Sequence, residues 1–363
     1  MKYRVIQWAT GGVGCAAIQG IVNHPELELV GCWVHSRAKH GRDAGELAGI
    51  APLGVAATRD VDALLALDAD CVLYSPILAD AAIVELILRS GKNVVTPLGW
   101  FFPWRGQDFA ALEVACHAGN VTLRGTGIHP GGITERFPLM VSALSGSIAH
   151  IRAEEFSDIR TYNAPAVIGD IMLFGKMPDE AAQSPMVSFL ATGFFQSIDM
   201  VAAELGVVLD ETKTTRHEIA VATRPIDSPI GPIPPGRVAA QRFTWEASVG
   251  AVTFMTVRTN WFMGQEHLDP AWTFGPEGER FEVEIQGDPP VKISFHGLHP
   301  ASIAEGLKRT RGIVATAMHC VNAVPYVCRS APGIRTYLDL PLVSGRAAPA
   351  LRVGGAGAKG AGG

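Results

Sequence analysis

The stretch Thr10-Gly11-Gly12-Val13-Gly14 has the residue types and spacing to bind a phosphate. It follows a β-branched and aromatic run, Tyr3 to Ala9, and precedes a helix-compatible segment, Cys15 to Asn23, closed by His24-Pro25. Leu27 to Val34 is a second apolar run, long enough for a buried parallel strand. A glycine turn between strand and helix lets backbone N–H groups approach a pyrophosphate, and the helix N-terminus favours its charge. The pattern is Gly11-x-x-Gly14-x-x-Ala17 rather than G-x-G-x-x-G. Gly11 is expected to make the tight turn, Gly14 to allow close backbone approach, and Ala17 to let helix and strand pack. After the second run comes His35-Ser36-Arg37-Ala38-Lys39-His40, with no acid before Asp43. A carboxylate is missing where it would bind ribose hydroxyls, and a guanidinium stands where it could pair with a 2′-phosphate. The expected cofactor is therefore NADP, with NAD as the alternative.

Hydride transfer also needs a group that protonates or polarises the reacting oxygen or nitrogen. His129, in the glycine-rich block Gly125–Gly132, has a suitable ordinary pKa; a hydrogen-bonded cofactor contact is its other reading. Glu135 falls on a helix's first turn, which favours a capping role. Glu154, Glu155 and Asp158 lie on one expected strand, where alternation puts Glu155 on the face opposite the other two. His129 and Glu155 are the catalytic candidates. The loop Pro97-Leu98-Gly99-Trp100-Phe101-Phe102-Pro103-Trp104 would wall an apolar, water-poor substrate site, or else plug a domain interface. Trp261 and His267, within the aromatic-rich stretch Asn260 to Phe274, would either line the same pocket or serve core and dimer packing.

The elements that must position these residues alternate. Short helices are expected at Asp43–Leu47 and Val61–Leu67, and a strand at Cys71–Tyr74. An amphipathic helix over 79–90 should bury Ile83, Leu86, Ile87 and Leu88; a strand follows at Lys92–Thr96, then a helix at Phe109–Ala118 and a strand at Val121–Arg124. Strands alternating with helices imply a parallel sheet covered on both faces, with ligands beyond the strands' carboxyl ends. On that ground Ser75, Pro76, Pro97, Gly99 and His129 join the glycine turn and His35-Ser36-Arg37 as cofactor contacts. Past residue 150 the pattern changes. A strand at Ile151–Ile159, a helix from Asn163 to near Gly175 and a long apolar helix at Met186–Leu205 precede β-rich segments at Thr214–Ala222, Arg237–Thr259, Arg280–Gln286 and Val291–Phe295. Long strands in a row predict a mixed or antiparallel sheet, helical on one face and free to dimerise on the other. Ser302–Asn322 returns to one helix, and the Gly- and Ala-rich tail from 344 to 363 is expected to be disordered.

Composition bounds the function classes. With 363 residues, 48% of them hydrophobic, the chain can bury two substantial cores. A net charge of −5 with interspersed signs gives no nucleic-acid surface and no electrostatic membrane anchor. The first apolar run already carries the glycine turn, so no signal peptide is expected, and no uninterrupted apolar run nears the ~20 residues of a membrane span. The 6 cysteines are scattered without a Cys-x-x-Cys, and the 11 histidines show no metal-ligand spacing; a cytoplasmic protein with reduced thiols and no metal is expected.

Several blocks occur together in order: ATGGVG at the first turn, HSR after the second strand, GTGIHPGG at 125–132 and NAVPYVCRSAPGIRTYLDLP at 322–341. In these the chain resembles the NAD(P)-dependent dehydrogenases that include 2,4-diaminopentanoate dehydrogenase and the native amine dehydrogenases, which share the dihydrodipicolinate reductase fold. The resemblance implies an α/β protein with a Rossmann-type doubly wound sheet over 1–130 that binds NADP. It further implies an α+β mixed-sheet substrate and dimerisation domain over 131–320, and a segment, 321–343, returning to the first domain with Asn322 at the cofactor. The implied reaction is reductive amination of a carbonyl or its reverse, in a homodimer. The loop glutamate that activates ammonia or water in those enzymes has no counterpart in 97–104, and His129 stands in the place of the family's Asn. The reductase's own His-rich, Lys and Ser-Gly-Thr signature is absent, so that reaction is not expected. The expected function is hydride transfer between NADP and an apolar carbonyl, imine or amine. A carbonyl reductase that does not use ammonia and a non-catalytic NADP-binding sensor are the alternatives.

Overall fold

The computed structural model describes residues 2–102, 109–275 and 278–352, which form two compact units. The first comprises 2–98, 109–125 and 317–352. Its strands are β1 (Tyr3–Trp8), β2 (Leu27–Trp33), β3 (Ala57–Thr58), β4 (Cys71–Tyr74), β5 (Asn93–Thr96) and β6 (Thr122–Gly125). Gly333–Ile334 pairs beside β6, and the sheet continues β6-β5-β4-β1-β2-β3, all parallel. Strands buried on both faces explain the near-continuous apolar runs: Val5, Ile6, Val72, Leu73, Val94, Val95 and Leu123 are inaccessible or nearly so.

The helix α1 (Gly12–Asn23) starts at Gly12 rather than Cys15. It packs closely on the C-terminal half of helix Arg311–Val327, because a Cβ at Gly20 would meet Met318 Cε at 2.3 Å and Val321 Cγ2 at 3.2 Å. Helix Ala81–Arg89 buries Val84, Ile87 and Leu88, whereas Leu86 is 50% exposed. The expectation for Leu86 is corrected: positions 84, 87 and 88 form the i, i+3, i+4 face, and 86 points away from it.

The second unit comprises 99–102, 126–275 and 278–316. Its strands are β7 (Ser147–Asp158), β8 (Thr214–Ala222), β9 (Val238–Val249), β10 (Val252–Phe262), β11 (Leu268–Asp269), β12 (Arg280–Asp288) and β13 (Val291–Phe295). They form one mixed sheet in the order β11-β8-β9-β10-β7-β12-β13, in which only β10 and β7 run parallel. The β-rich segment 237–259 falls in a hairpin of β9 and β10, and Gly250 takes the positive φ of 60° that its tight turn requires.

Helix Met186–Glu204, 19 residues and apolar enough in composition to cross a membrane, lays Ala191, Phe194, Ile198, Val201 and Ala202 into the core on one sheet face. The other face of β7, β10 and β12 carries Arg152, Glu154, Arg258, Arg280, Glu282 and Glu284, joined in ion pairs.

Three further expectations are corrected. The helix opened at Asn163 is only a single wide turn, Val167–Ile171; Leu173 and Gly175 take positive φ just after it. The span 302–322 is two helices, Ile303–Lys308 and Arg311–Val327, because Arg309 is fully extended between them. In the tail, 344–352 is placed rather than disordered: Arg346 pairs with Glu26 and the Tyr326 and Ser344 hydroxyls are 3.1 Å apart. Residues 353–363 lie outside the described residues, as do Pro103 and Trp104 of the aromatic loop.

Candidate active site

In the first unit the glycine turn is built on a buried side chain. Gln7, inaccessible on β1, donates from Nε2 to the Ala9 carbonyl (3.0 Å) and to Ser75 Oγ (2.9 Å), joining the ends of β1 and β4. Trp8 and Trp33 stack at 5.0 Å on the neighbouring strand ends. A Cβ on Gly14 would lie 2.1 Å from the Ala9 carbonyl oxygen, so Gly14 is the residue that lets α1 pack on β1, the task expected of Ala17. Ala17, 2% exposed, is buried behind it. Nothing lies within 4 Å of a Cβ built on Gly11, and no side chain caps or acidifies the first turn of α1. Gly11 and Gly12 are exposed, so the start of α1 is open and uncapped by any side chain, the arrangement that suits an anion.

Positive charge gathers at the same end. Lys39 Nζ donates to the Thr10 carbonyl (2.9 Å) and to its hydroxyl (3.1 Å). Ser36 caps the turn Arg37–Lys39 by accepting from Ala38 N, and His35, Ser36 and Arg37 are exposed. Arg59 Nε donates to the His35 carbonyl at 2.9 Å, which brings a second guanidinium to this turn. Sequence reasoning missed Gln7 and Arg59, because only the parallel pairing of β2 with β3 and of β1 with β4 brings them here. Pro76 and Pro97 follow β4 and β5 directly or after one residue. Asn322 is half-buried on its helix near Gly345. The donor set and the open glycine position fit a nicotinamide dinucleotide.

In the second unit the strand alternation of β7 turns Ile151, Ala153, Glu155 and Ser157 toward the face covered by helix Met186–Glu204. Glu155 stands opposite Thr259 of β10 and Phe281 of β12. Its side chain is 13% exposed, and burial pushes its pKa up to about 7, against hydrogen bonds from Ser157 and Trp261 that pull it down. His129 Nε2 is 3.9 Å from Glu155 Oε2, beyond hydrogen-bond range. The imidazole is 2% exposed, sits 4.9 Å from the Phe194 ring and 5.7 Å from Phe281, and has no hydrogen-bond partner at either nitrogen among the described residues. Burial lowers its pKa to about 3, so the ring is neutral at pH 7. The ordinary histidine pKa assumed from sequence does not apply here. A buried carboxyl that holds a proton near neutrality, beside an imidazole with unused donor and acceptor capacity, can bind a polar atom and exchange a proton with it.

Trp100, Phe101 and Phe102 are all buried. Their loop is held by Gln196, whose Oε1 accepts from the N–H groups of Phe101 (2.8 Å) and Phe102 (3.2 Å). A Cβ on Gly193 would meet Pro130 Cγ at 3.2 Å and Phe101 Cε2 at 3.5 Å, so a glycine in the apolar helix lets this loop close on the residue after His129. Gln196 gave no sequence signal, being one polar position in an apolar run. Glu135 is not a helix cap: it is inaccessible and accepts from Ser197 Oγ at 2.7 Å.

The structure thus brings together His129, Glu155, Trp261 and the loop 99–102 in one unit. His267 lies elsewhere, 44% exposed on a cavity of about 710 Å³ lined also by Asp158, Arg160, Glu266 and Glu279 but not by His129 or Glu155. Among the described residues no group of three His, Cys, Asp or Glu side chains could hold a metal ion.

A doubly wound parallel sheet with an open glycine turn, joined to a mixed-sheet unit carrying a buried acid, defines a nicotinamide-dependent dehydrogenase. Comparison with known proteins agrees. Residues 139–350 match the family of the 2,4-diaminopentanoate dehydrogenase C-terminal domain, and 5–97 match the dihydrodipicolinate reductase N-terminus. An amine dehydrogenase of Streptomyces virginiae is 30% identical over 359 residues, 93% of this chain and 96% of the relative. The 2,4-diaminopentanoate dehydrogenase of Acetoanaerobium sticklandii is 23% identical over 71% of this chain and 69% of its own. The solved amine dehydrogenase of Mycobacterium smegmatis shares the fold, with a TM-score of 0.77 at 20% identity over 95% of this chain and 98% of that one. The chain belongs to this family of amine dehydrogenase-like and 2,4-diaminopentanoate dehydrogenase-like NAD(P)-dependent oxidoreductases.

Proposed function

We propose that the chain is an NADP-dependent dehydrogenase moving hydride between the cofactor and an apolar carbonyl, imine or amine, with Glu155 as the proton-transferring group. The observation that carries this reading is the Glu155 carboxyl, held at a proton affinity near 7 beside the unpartnered His129 imidazole. When bound, the nicotinamide supplies or accepts the hydride. The N–H groups of Gly11, Gly12, Val13 and Gly14, with Thr10 beside them, hold the pyrophosphate. Ser36 and Arg37, next to His35 and with Arg59 in support, take the 2′-phosphate; Ser75, Pro76, Pro97, Gly99 and Asn322 complete the cofactor contacts. Neutral His129 orients the reacting oxygen or nitrogen by a hydrogen bond. Trp100, Phe101, Phe102 and Trp261 exclude water and select apolar substrates.

Similarity to an amine dehydrogenase supports ammonia as the co-substrate. The acid-free loop 97–104 favours a second reading, reduction of the same carbonyl without ammonia. NADPH oxidation with a panel of apolar ketones and aldehydes, with and without ammonia, separates the two. Tight NADPH binding with no turnover of any carbonyl or amine refutes both and leaves a sensor. The chain is further proposed to form a homodimer through the charged face of the second-unit sheet.

A further inference from the structure

We propose that Ser157 and His299 are positioning residues that form a proton relay serving Glu155. This rests on the reading of Glu155 as the proton-transferring group, and it adds the route by which that group is recharged.

Alternation along β7 puts Glu155 and Ser157 on one face, two residues apart. Ser157 Oγ lies 2.7 Å from Glu155 Oε1 and 2.8 Å from His299 Nε2, both good hydrogen-bond lengths. The His299 ring stacks on Phe281 at 4.9 Å and 23°, which holds its Nε2 edge toward the serine. Its other nitrogen, Nδ1, has no hydrogen-bond partner among the described residues, although His299 as a whole is only partly buried. A buried ring nitrogen left without a partner is uncommon, and here it sits at the free end of a hydrogen-bonded chain.

A serine hydroxyl has one hydrogen, so the chain has two arrangements. In the first, ionised Glu155 accepts from the Ser157 O–H, and Ser157 Oγ accepts from His299 Nε2–H. In the second, protonated Glu155 donates to Ser157 Oγ, Ser157 donates to His299 Nε2, and the ring carries its hydrogen on Nδ1. Going from the first to the second adds at Nδ1 one proton given up by a hydronium ion; Nδ1 is closed to water in this conformation, so the partly buried ring moves to take it up. The Nε2–H bond breaks as an O–H bond forms at Ser157, and the former serine proton forms an O–H bond at Glu155. The ring and the serine end neutral, and Glu155 has gained one proton to pass to the substrate. Burial holds the His299 pKa down at about 4, so the ring works as a neutral carrier between its two tautomers. The titratable groups around Glu155 are His129 at 3.9 Å, and Tyr162 and Glu279, which both feel its charge. Neither Tyr162 nor Glu279 has a hydrogen bond to Glu155 among the described residues, and the hydrogen-bonded chain from Glu155 Oε1 runs through Ser157.

The test uses the full-length chain with NADPH and its best carbonyl substrate, comparing Ser157→Ala, His299→Gln and Glu155→Gln. Ser157→Ala and His299→Gln are each expected to lower kcat at least ~10-fold, part of the ~10²–10⁴ that acid–base assistance contributes, while KM and NADPH affinity stay close to the parent's. The solvent isotope effect on kcat should bow with deuterium fraction in the parent, reporting several protons in flight, and become linear in Ser157→Ala. Free imidazole should restore part of the rate to His299→Ala. If Glu155→Gln abolishes turnover but folded Ser157→Ala and His299→Gln keep the parent's kcat and bowed isotope response, the relay is overturned and the role of Glu155 stands. If Glu155→Gln keeps the parent's rate, both fall together. Should Ser157→Ala not fold, His299→Gln and the imidazole rescue decide from the other end of the chain.

Discussion

Replacing Glu155 by Gln should trade catalysis for stability in a pH-dependent way. In the native state burial lifts this carboxyl from its ordinary 4.5 to about 7. At ~1.4 kcal/mol per factor of ten in proton affinity, ionising it in place destabilises the fold by roughly 3 kcal/mol relative to an ordinary glutamate. The sign follows from the raised value. The native state holds the proton more tightly than the unfolded chain, so this stability is fully present below about pH 4.5 and is lost as pH rises through 7. Gln is neutral throughout and similar in shape. Urea unfolding of the cofactor-free protein should therefore give the variant and parent similar stability near pH 5. Near pH 8.5 the variant should be more stable by up to ~3 kcal/mol, with the gain appearing between. Glu279, raised to about 8 by burial and by the charges of Asp158 and Glu155, titrates in both proteins and does not remove the difference. Turnover at pH 7 should fall by roughly 10²–10⁴. A stability difference that is the same at pH 5 and pH 8.5 would refute the claim that Glu155 is held protonated near neutrality. Loss of stability at both pH values would make it a structural acid.

Other consequences test the remaining parts. NADPH should bind more tightly than NADH, and Arg37→Ala should narrow the gap by ~1.5–3 kcal/mol in a fluorescence titration; equal affinities in the parent would refute the assignment of the 2′-phosphate site. Gly14→Ala, whose Cβ would lie 2.1 Å from the Ala9 carbonyl oxygen, should lower Tm and cofactor affinity together, whereas Gly11→Ala, with nothing within 4 Å, should keep Tm and weaken the cofactor alone. Gly99→Glu should raise ammonia-dependent turnover. The Gly99 Cβ position is open, whereas Trp100 is buried with a φ of 56°, so an acid fits the first position and not the second; an unchanged rate in a folded variant would show that this loop does not serve ammonia.

What the sequence determined by itself follows from local rules. The glycine spacing after Tyr3–Ala9, the apolar runs of β2, β4 and β5, and the basic turn at His35-Ser36-Arg37 need only period, turn chemistry and charge to be read, and the parallel sheet of the first unit follows from them. The alternation that sets Glu155 opposite Glu154 is equally local. Tertiary structure decided the chemistry of that alternation. Glu154 went to the charged face, buried but paired with Arg152 and Arg258, while Glu155 went beside the neutral His129 with no arginine or lysine paired to it among the described residues, and there burial raises the proton affinity. The pKa of His129, the latch from Gln196 to Phe101 and the chain from Ser157 to His299 all join residues far apart in sequence. No periodicity carries their distances or their burial. Local pattern states which face a side chain takes; desolvation and hydrogen bonding, which set what it can do there, depend on what packs against that face.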